Sequence, residues 1–88
     1  MRIQDVPHGL NVVVETDATL YIGRFDSLNG FKVLLHSCDV HPIATGEDVE
    51  HYARDAATYG VNVTHADAEV DVLGIRNVRL LRDVPKLV

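Results

Sequence analysis

Alternating apolar and polar positions dominate the first part of the chain and predict strands. Residues 10–16 are apolar at least at every second position and rich in β-branched side chains, which predicts a half-buried first strand. After a two-residue connection, residues 19–28 form a second run with Gly23 in its middle. Because a glycine inside a strand marks a bend or a close backbone approach, we expect the second strand to bend at Gly23.

The dipeptide Asn29-Gly30 is the strongest turn signal in the chain. Both residues tolerate positive φ, which the tight turns of two-residue hairpins require. The run that follows alternates two sets of residues, Phe31, Val33, Leu35 and Lys32, Leu34, His36. The sequence therefore predicts a hairpin whose third strand starts directly after the turn.

The apolar period changes after residue 44 and predicts a helix. Side chains then recur at the i, i+3, i+4 and i+7 positions of one helix face, namely Val49, Tyr52, Ala53 and Ala56. Thr45 is the expected N-cap and Gly60 follows the expected end, so the helix is predicted from Gly46 to Tyr59. Its narrow apolar stripe is typical of a helix that packs against a sheet edge or a barrel mouth.

Strand character returns in the last part of the chain. It resumes at residues 61–64 and, after the polar segment 66–68, continues in the alternating runs 69–73 and 78–82 around Gly74. The predicted element order is β-β-β-α-β-β. Short, mainly antiparallel strands favour a small, strongly bent five-stranded barrel with the helix outside it. An open α+β sheet with the helix on one face is the competing architecture.

Composition and charge limit the function classes. The 88 residues suffice for one small core, so a single domain over residues 1–88 is expected. Thirteen acidic against eight basic residues give a net charge of −5, which opposes polyanion binding unless basic residues cluster locally.

Cys38 is the only cysteine, so support for this small domain is expected from oligomerisation or a metal. Neither end has an apolar run long enough for a membrane span or secretory signal, which predicts a cytoplasmic protein without membrane partners.

Two segments follow the spacing of a known pair of motifs. The first contains Tyr21, Gly23, Phe25 and the pair Leu28-Asn29, and the second runs from Val70 to Gly74 and continues at residues 78–81. These residues resemble the Sm-like (LSm) family of ring-forming, RNA-associated proteins. The resemblance implies a bent five-stranded Sm-like (SH3-like) barrel, here with a helix inserted between strands 3 and 4. It also implies a closed homo-oligomeric ring as the assembled state.

The resemblance also implies a nucleotide site. In the family an Asp and an Asn after the second strand and an Arg before the late glycine form a uridine pocket. By position, Asn29 replaces the Asp, Lys32 replaces the Asn if one loop residue is deleted, and Leu73 replaces the Arg. The implied RNA-binding residues are thus Asn29, Lys32 and Gly74, with single-stranded RNA bound weakly. The alternative is an oligomeric scaffold or protein-interaction protein without the nucleotide pocket.

His36, Cys38 and His41 form the one group of soft and imidazole ligands close in sequence. An extended strand would point His36 and Cys38 to one face and His41 to the other, and zinc would need a fourth ligand from His51 or His65. We favour a buried thiol beside surface histidines, with no metal or cofactor. No oxyanion device accompanies a Cys–His nucleophile pair, so no enzymatic activity is expected.

Overall fold

The computed structural model describes residues 1–87 and places five strands in one antiparallel sheet, with an α-helix between the third and fourth strands. The elements are β1 (Asn11–Glu15), β2 (Thr19–Asn29), β3 (Lys32–Pro42), α1 (Val49–Tyr59), β4 (His65–Asp71) and β5 (Asn77–Leu80). Short 3-10 turns span Ile3–Asp5, Val72–Gly74 and Leu81–Asp83. The predicted order of strands and helix is confirmed.

The strands are arranged in the order β4-β3-β2-β1-β5, so β4 and β5 form the two edges of the sheet. The ladder between β2 and β3 is the longest, and β1 pairs with β2 on one side and β5 on the other. Within residues 1–87 no ladder joins β4 to β5. The five antiparallel strands are confirmed, whereas the sheet is open where the barrel prediction expected closure.

One apolar cluster lies on one face of the sheet and takes side chains from all five strands. This inner cluster contains Val12, Val14, Phe25, Val33, Leu35, Cys38, Val70, Val78 and Leu80, joined by Ile3 and Val6 from the N-terminal turn. Val70, Val78 and Leu80 of the two edge strands are only 2–5% exposed although α1 packs on the other face, so the sheet curves around this cluster, since a flat sheet would leave these side chains in water. The curvature covers apolar surface that would otherwise face water.

The helix packs on the opposite face of the sheet. Ala53 and Ala56 of α1 contact an outer cluster formed with Val13, Leu20, Ile22, Leu81 and Val84. The expected position of the helix outside the curved sheet is confirmed. Strand β1 is thus covered on both faces, which explains why its sequence contains three consecutive valines rather than a strict alternation.

Gly23 marks a close approach between β2 and β3. A Cβ atom at this position would lie 2.4 Å from the Cβ and 2.8 Å from the Cα of Cys38. Opposite Gly23, β3 contains an extra residue, because Ile22 pairs with Asp39 while Arg24 pairs with His36. Ser37 in this bulge has a φ of 48°. The bulge lies beside Gly23, where the sequence predicted a bend of the second strand, but its extra residue belongs to β3.

The helix begins later than predicted. It starts at Val49 rather than Gly46, and Asp48 rather than Thr45 caps it by accepting a hydrogen bond from the backbone N–H of His51 at 3.1 Å. Gly46 has a φ of +78°, which a right-handed helix does not contain. The predicted N-cap at Thr45 is therefore wrong.

The fourth strand is also displaced from its predicted position. Residues 61–64 are not a strand, and the segment 66–68, read as a polar connection, lies inside β4. Residues 72–73 belong to a 3-10 turn, and the last strand ends at Leu80. β4 alternates Ala66, Ala68 and Val70 with three acidic residues, but two of these apolar residues are small alanines, so pairing with β3 rather than a strong apolar period fixes its location.

Candidate functional site

The turn between β2 and β3 meets the end of β4, and we call residues 28–32 together with residues 71–74 the hairpin end. The backbone N–H of Val72 donates a hydrogen bond to the carbonyl oxygen of Phe31 at 2.8 Å. Lys32 lies opposite Asp71 in the ladder between β3 and β4. The RNA-binding residues implied by the resemblance, Asn29, Lys32 and Gly74, all belong to these two segments, which the fold brings to one end of the sheet.

The charge of Lys32 is paired within the chain. Its Nζ lies 3.9 Å from Oδ2 of Asp71, and both side chains are more than half exposed. The other carboxylate oxygen of Asp71 accepts a hydrogen bond from the backbone N–H of Leu73 at 3.0 Å, which holds Asp71 in place. An exposed pair of this kind stabilises the fold by at most about 1 kcal/mol, but it leaves little net positive charge for a polyanion.

Two large apolar side chains at the hairpin end face solvent. Phe31 is 67% exposed and Leu73 is 79% exposed, although the period of the sequence grouped Phe31 with the apolar face of the third strand. Phe31 precedes β3 and belongs to the turn, so the strand alternation does not apply to it. Exposed aromatic and aliphatic side chains at a strand connection provide a contact surface for a base or for an apolar group of a protein.

Both sheet edges are open. β4 pairs with β3 on one side only, and β5 pairs with β1 on one side only. Edge strands of this kind expose a row of N–H and C=O groups that another strand can pair with. The β4 edge is acidic, with Asp67, Glu69 and Asp71 at alternate positions. β5 carries Arg79, which donates two hydrogen bonds to Glu50 of α1, and follows Arg76, which pairs with Asp17.

The fold separates the three candidate metal ligands, His36, Cys38 and His41. Cys38 is fully buried in the inner cluster, and burial raises the pKa of its thiol. His36 lies beyond the bulge at Ser37, which inserts a residue into the alternation, so the prediction that His36 and Cys38 share a face is wrong. His41 stacks on Tyr52 with ring centroids 3.8 Å apart. In residues 1–87 no three His, Cys, Asp or Glu side chains are placed to hold a metal ion.

His36 instead belongs to a chain of polar contacts across three elements. Its Nδ1 lies 2.5 Å from Oδ1 of Asp67 on β4, and its Nε2 lies 3.4 Å from Oδ1 of Asp26 on β2. Nδ1 of His8 lies 2.6 Å from the carbonyl oxygen of Asp26. These contacts attach β4 and the N-terminal segment to the central hairpin.

A second polar network fastens α1 to β3, and sequence reasoning missed it. Asp39 is 3% exposed, and its Oδ2 accepts a hydrogen bond from the hydroxyl of Tyr52 at 2.5 Å. Burial and this carboxylate raise the pKa of Tyr52 to about 12. Oε2 of Glu47 lies 2.6 Å from Nε2 of His41, and Oε1 accepts a hydrogen bond from the N–H of Ala44 at 2.9 Å. The bond to Ala44 first, and then His41, lower the pKa of Glu47.

Comparisons with protein-family models, with curated proteins and with solved structures give no match. The similarity to Sm-like proteins therefore depends on the two motif segments alone. Among residues 1–87, no helix combines the length and the apolar character that crossing a bilayer requires.

Proposed function

We propose that this protein is an oligomeric scaffold whose copies associate edge to edge, with β4 of one copy pairing with β5 of the next. The observation that carries the proposal is the presence, within residues 1–87, of two open sheet edges of different character, one acidic (β4) and one that carries a single arginine, Arg79, already paired with Glu50 of α1. Strand addition at such edges gives affinity through main-chain hydrogen bonds that the isolated chain leaves unmade.

Side-chain chemistry favours this pairing over pairing of like edges. Asp67, Glu69 and Asp71 lie on the face of β4 away from the inner cluster, and Arg79 lies on the corresponding face of β5. Opposite charges on neighbouring strands stabilise a sheet, whereas two acidic edges side by side would repel. Glu69 has no side-chain partner in residues 1–87 and is the carboxylate most available to a neighbouring copy.

Association of two different edges is a head-to-tail contact, which closes into a ring or continues as a filament. The resemblance to Sm-like proteins favours the ring, which we include in the proposal. Each copy would contribute one hairpin end, so Phe31 and Leu73 would recur around the assembly as a repeated apolar contact for a protein partner.

Size-exclusion chromatography with light scattering tests the proposal directly. We expect one discrete oligomer across the micromolar range, with a mass that decreases at high salt because charge complementarity contributes to association. A monomer at every concentration would overturn the proposal, and a mass that grows without limit would replace the ring by a filament.

Weak binding of single-stranded RNA at the hairpin end is the second candidate function. The observation that favours it is the exposed ring of Phe31 next to Lys32 and close in sequence to Asn29, since an aromatic face, a cation and an amide are the groups that bind unstacked bases. Asp71 and the net charge of −5 act against it. Titration with uridine-rich and adenine-rich single strands at several salt concentrations tests it, and we expect weak, salt-sensitive and poorly selective binding.

A further inference from the structure

A cleft of about 500 Å³ lies between the start of β1, the C-terminal end of α1 and the C-terminal segment. Its apolar wall is formed by Leu10, Ala57 and Leu81. Its polar groups are Asn11, Arg82 and Lys86. The cleft is far from the hairpin end along β2, because Asn11 pairs with Arg24 whereas the turn follows Asn29. Its volume lies within the range of small-molecule sites, which is about 300–1,000 Å³.

Most basic residues of this acidic protein are paired within the chain, and two of the others, Arg82 and Lys86, line the cleft. Four basic residues of the chain, Arg2, Lys32, Arg76 and Arg79, form ion pairs with carboxylates, and Arg54 donates to carbonyl groups. Among residues 1–87 the remaining three are Arg82 and Lys86, which line the cleft, and Arg24, which is the ladder partner of Asn11. No carboxylate of the described residues lines it.

The segment that carries Lys86 is fixed to α1. Arg54 donates hydrogen bonds to the carbonyl oxygens of Pro85 at 3.2 Å and Lys86 at 2.8 Å. The backbone N–H of Leu87 donates to Oγ1 of Thr58 at 2.9 Å. Leu81, at the other end of this segment, is packed in the outer cluster. The cleft is thus formed before any ligand arrives, which lowers the entropic cost of binding.

We propose that this cleft binds a small organic anion with an apolar body. Its acidic head group would lie between Arg82 and Lys86, and its hydrocarbon part would contact Leu10, Ala57 and Leu81. The guanidinium of Arg82 offers a planar pair of donors that matches carboxylate or phosphate oxygens. Leu10 and Ala57 are partly exposed and provide most of the apolar surface, whereas Leu81 is buried at 9% exposure. This site is independent of the edge-to-edge association and of the hairpin end.

Titration of the full-length, isotope-labelled protein with octanoate and with octyl phosphate tests the proposal by NMR. We expect saturable shifts of the amides of Leu10, Asn11, Ala57 and Arg82, and the tighter of the two probes identifies the preferred head group. Acetate, which lacks the apolar body, and octanamide, which lacks the charge, should each bind at least about tenfold more weakly.

Substitutions at the two cations provide the decisive comparison. Arg82→Gln and Lys86→Gln should each weaken octanoate binding by about tenfold, because each removes a charge-assisted hydrogen bond. Lys32→Gln removes the same charge at the hairpin end and should leave binding unchanged. Absence of saturable shifts with both anionic probes would overturn the proposal, as would equal affinity for octanamide or an equal effect of Lys32→Gln.

Discussion

At the scale of single residues, the chemistry of the hairpin end depends on the balance between Lys32 and Asp71. Replacing Asp71 with asparagine keeps an acceptor for the N–H of Leu73 but removes the charge that faces Lys32. Asp71→Asn should therefore increase affinity for a uridine-rich strand severalfold, by about 1 kcal/mol or less, since exposed pairs contribute no more than that. Lys32→Glu should abolish binding and its salt dependence, and Asn29→Ala should have a smaller effect. Equal affinity of Lys32→Glu and the unmodified protein for the uridine-rich strand would refute a role of Lys32 in RNA binding.

Gly23 sets how closely β2 and β3 approach each other. Gly23→Ala should lower the free energy of unfolding by about 1–3 kcal/mol, since its Cβ would overlap with Cys38 and force the strands apart. Gly74→Ala is the matched control, because a Cβ there meets no atom within 4 Å and should change stability by less than about 0.5 kcal/mol. Urea denaturation of both variants measures the difference. Equal losses, or none at Gly23, would contradict the close approach.

The hydroxyl of Tyr52 is the hydrogen-bond donor to a buried carboxylate. Tyr52→Phe should cost about 1–3 kcal/mol of stability because the Oδ2 atom of Asp39 loses this donor. Since the pKa of Tyr52 is raised to about 12 in the folded state, this contribution is present below the ordinary value of 10 and is lost as the pH rises through 12. Phenolate absorbance should show a late-titrating tyrosine that is missing in Tyr52→Phe. Absence of a late-titrating tyrosine in the unmodified protein would contradict the burial of Tyr52 against Asp39.

At the scale of elements, the order of strands and helix could be predicted because most elements have a strong period. β1 and β2 alternate or are apolar throughout, and the Asn29-Gly30 turn fixes their partner β3. β4 could be located only in part, because the predicted run 69–73 overlaps it at residues 69–71, whereas the small alanines at positions 66 and 68 make its first half resemble a polar connection. The pairing of Lys32 with Asp71 could not be predicted from the sequence either, because it depends on the register between strands that are distant in sequence. The bulge at Ser37, which separates His36 from Cys38, has no periodic signal either.

The start of α1 provides a test at this scale. The sequence offers Thr45 and Asp48 as N-caps, and the fold uses Asp48. Asp48→Ala should lower the free energy of unfolding by about 0.5–2 kcal/mol, because the N–H of His51 loses its partner and the helix dipole loses an adjacent negative charge. Thr45→Ala should leave thermal stability unchanged. A loss of stability in Thr45→Ala but not in Asp48→Ala would indicate that the helix starts at Gly46.

At the scale of the whole molecule, curvature and assembly have a common origin. Two apolar clusters lie on opposite faces of the sheet, and the inner one draws both edge strands toward each other without joining them. The chain thus buries most of its apolar side chains, but within residues 1–87 the outer N–H and C=O groups of β4 and β5 have no strand partner. A neighbouring copy can satisfy these groups with no change in the fold, which is why open edges and a complete core together favour self-association.

Charge reversal at the β4 edge separates specific strand pairing from general attraction between copies. Glu69→Arg places a cation where a neighbouring β5 would bring Arg79, so the oligomer should dissociate at concentrations at which the unmodified protein is assembled. Asp55→Arg changes the net charge by the same amount at an exposed position of α1, which belongs to neither edge strand, and should keep the oligomer intact. Because Glu69 is exposed and has no side-chain partner in residues 1–87, neither variant should alter the melting temperature of the isolated fold by more than a few degrees. Light scattering at matched concentrations measures the mass of each variant. Dissociation of both variants would indicate non-specific electrostatic association, and an intact Glu69→Arg oligomer would place the interface away from β4.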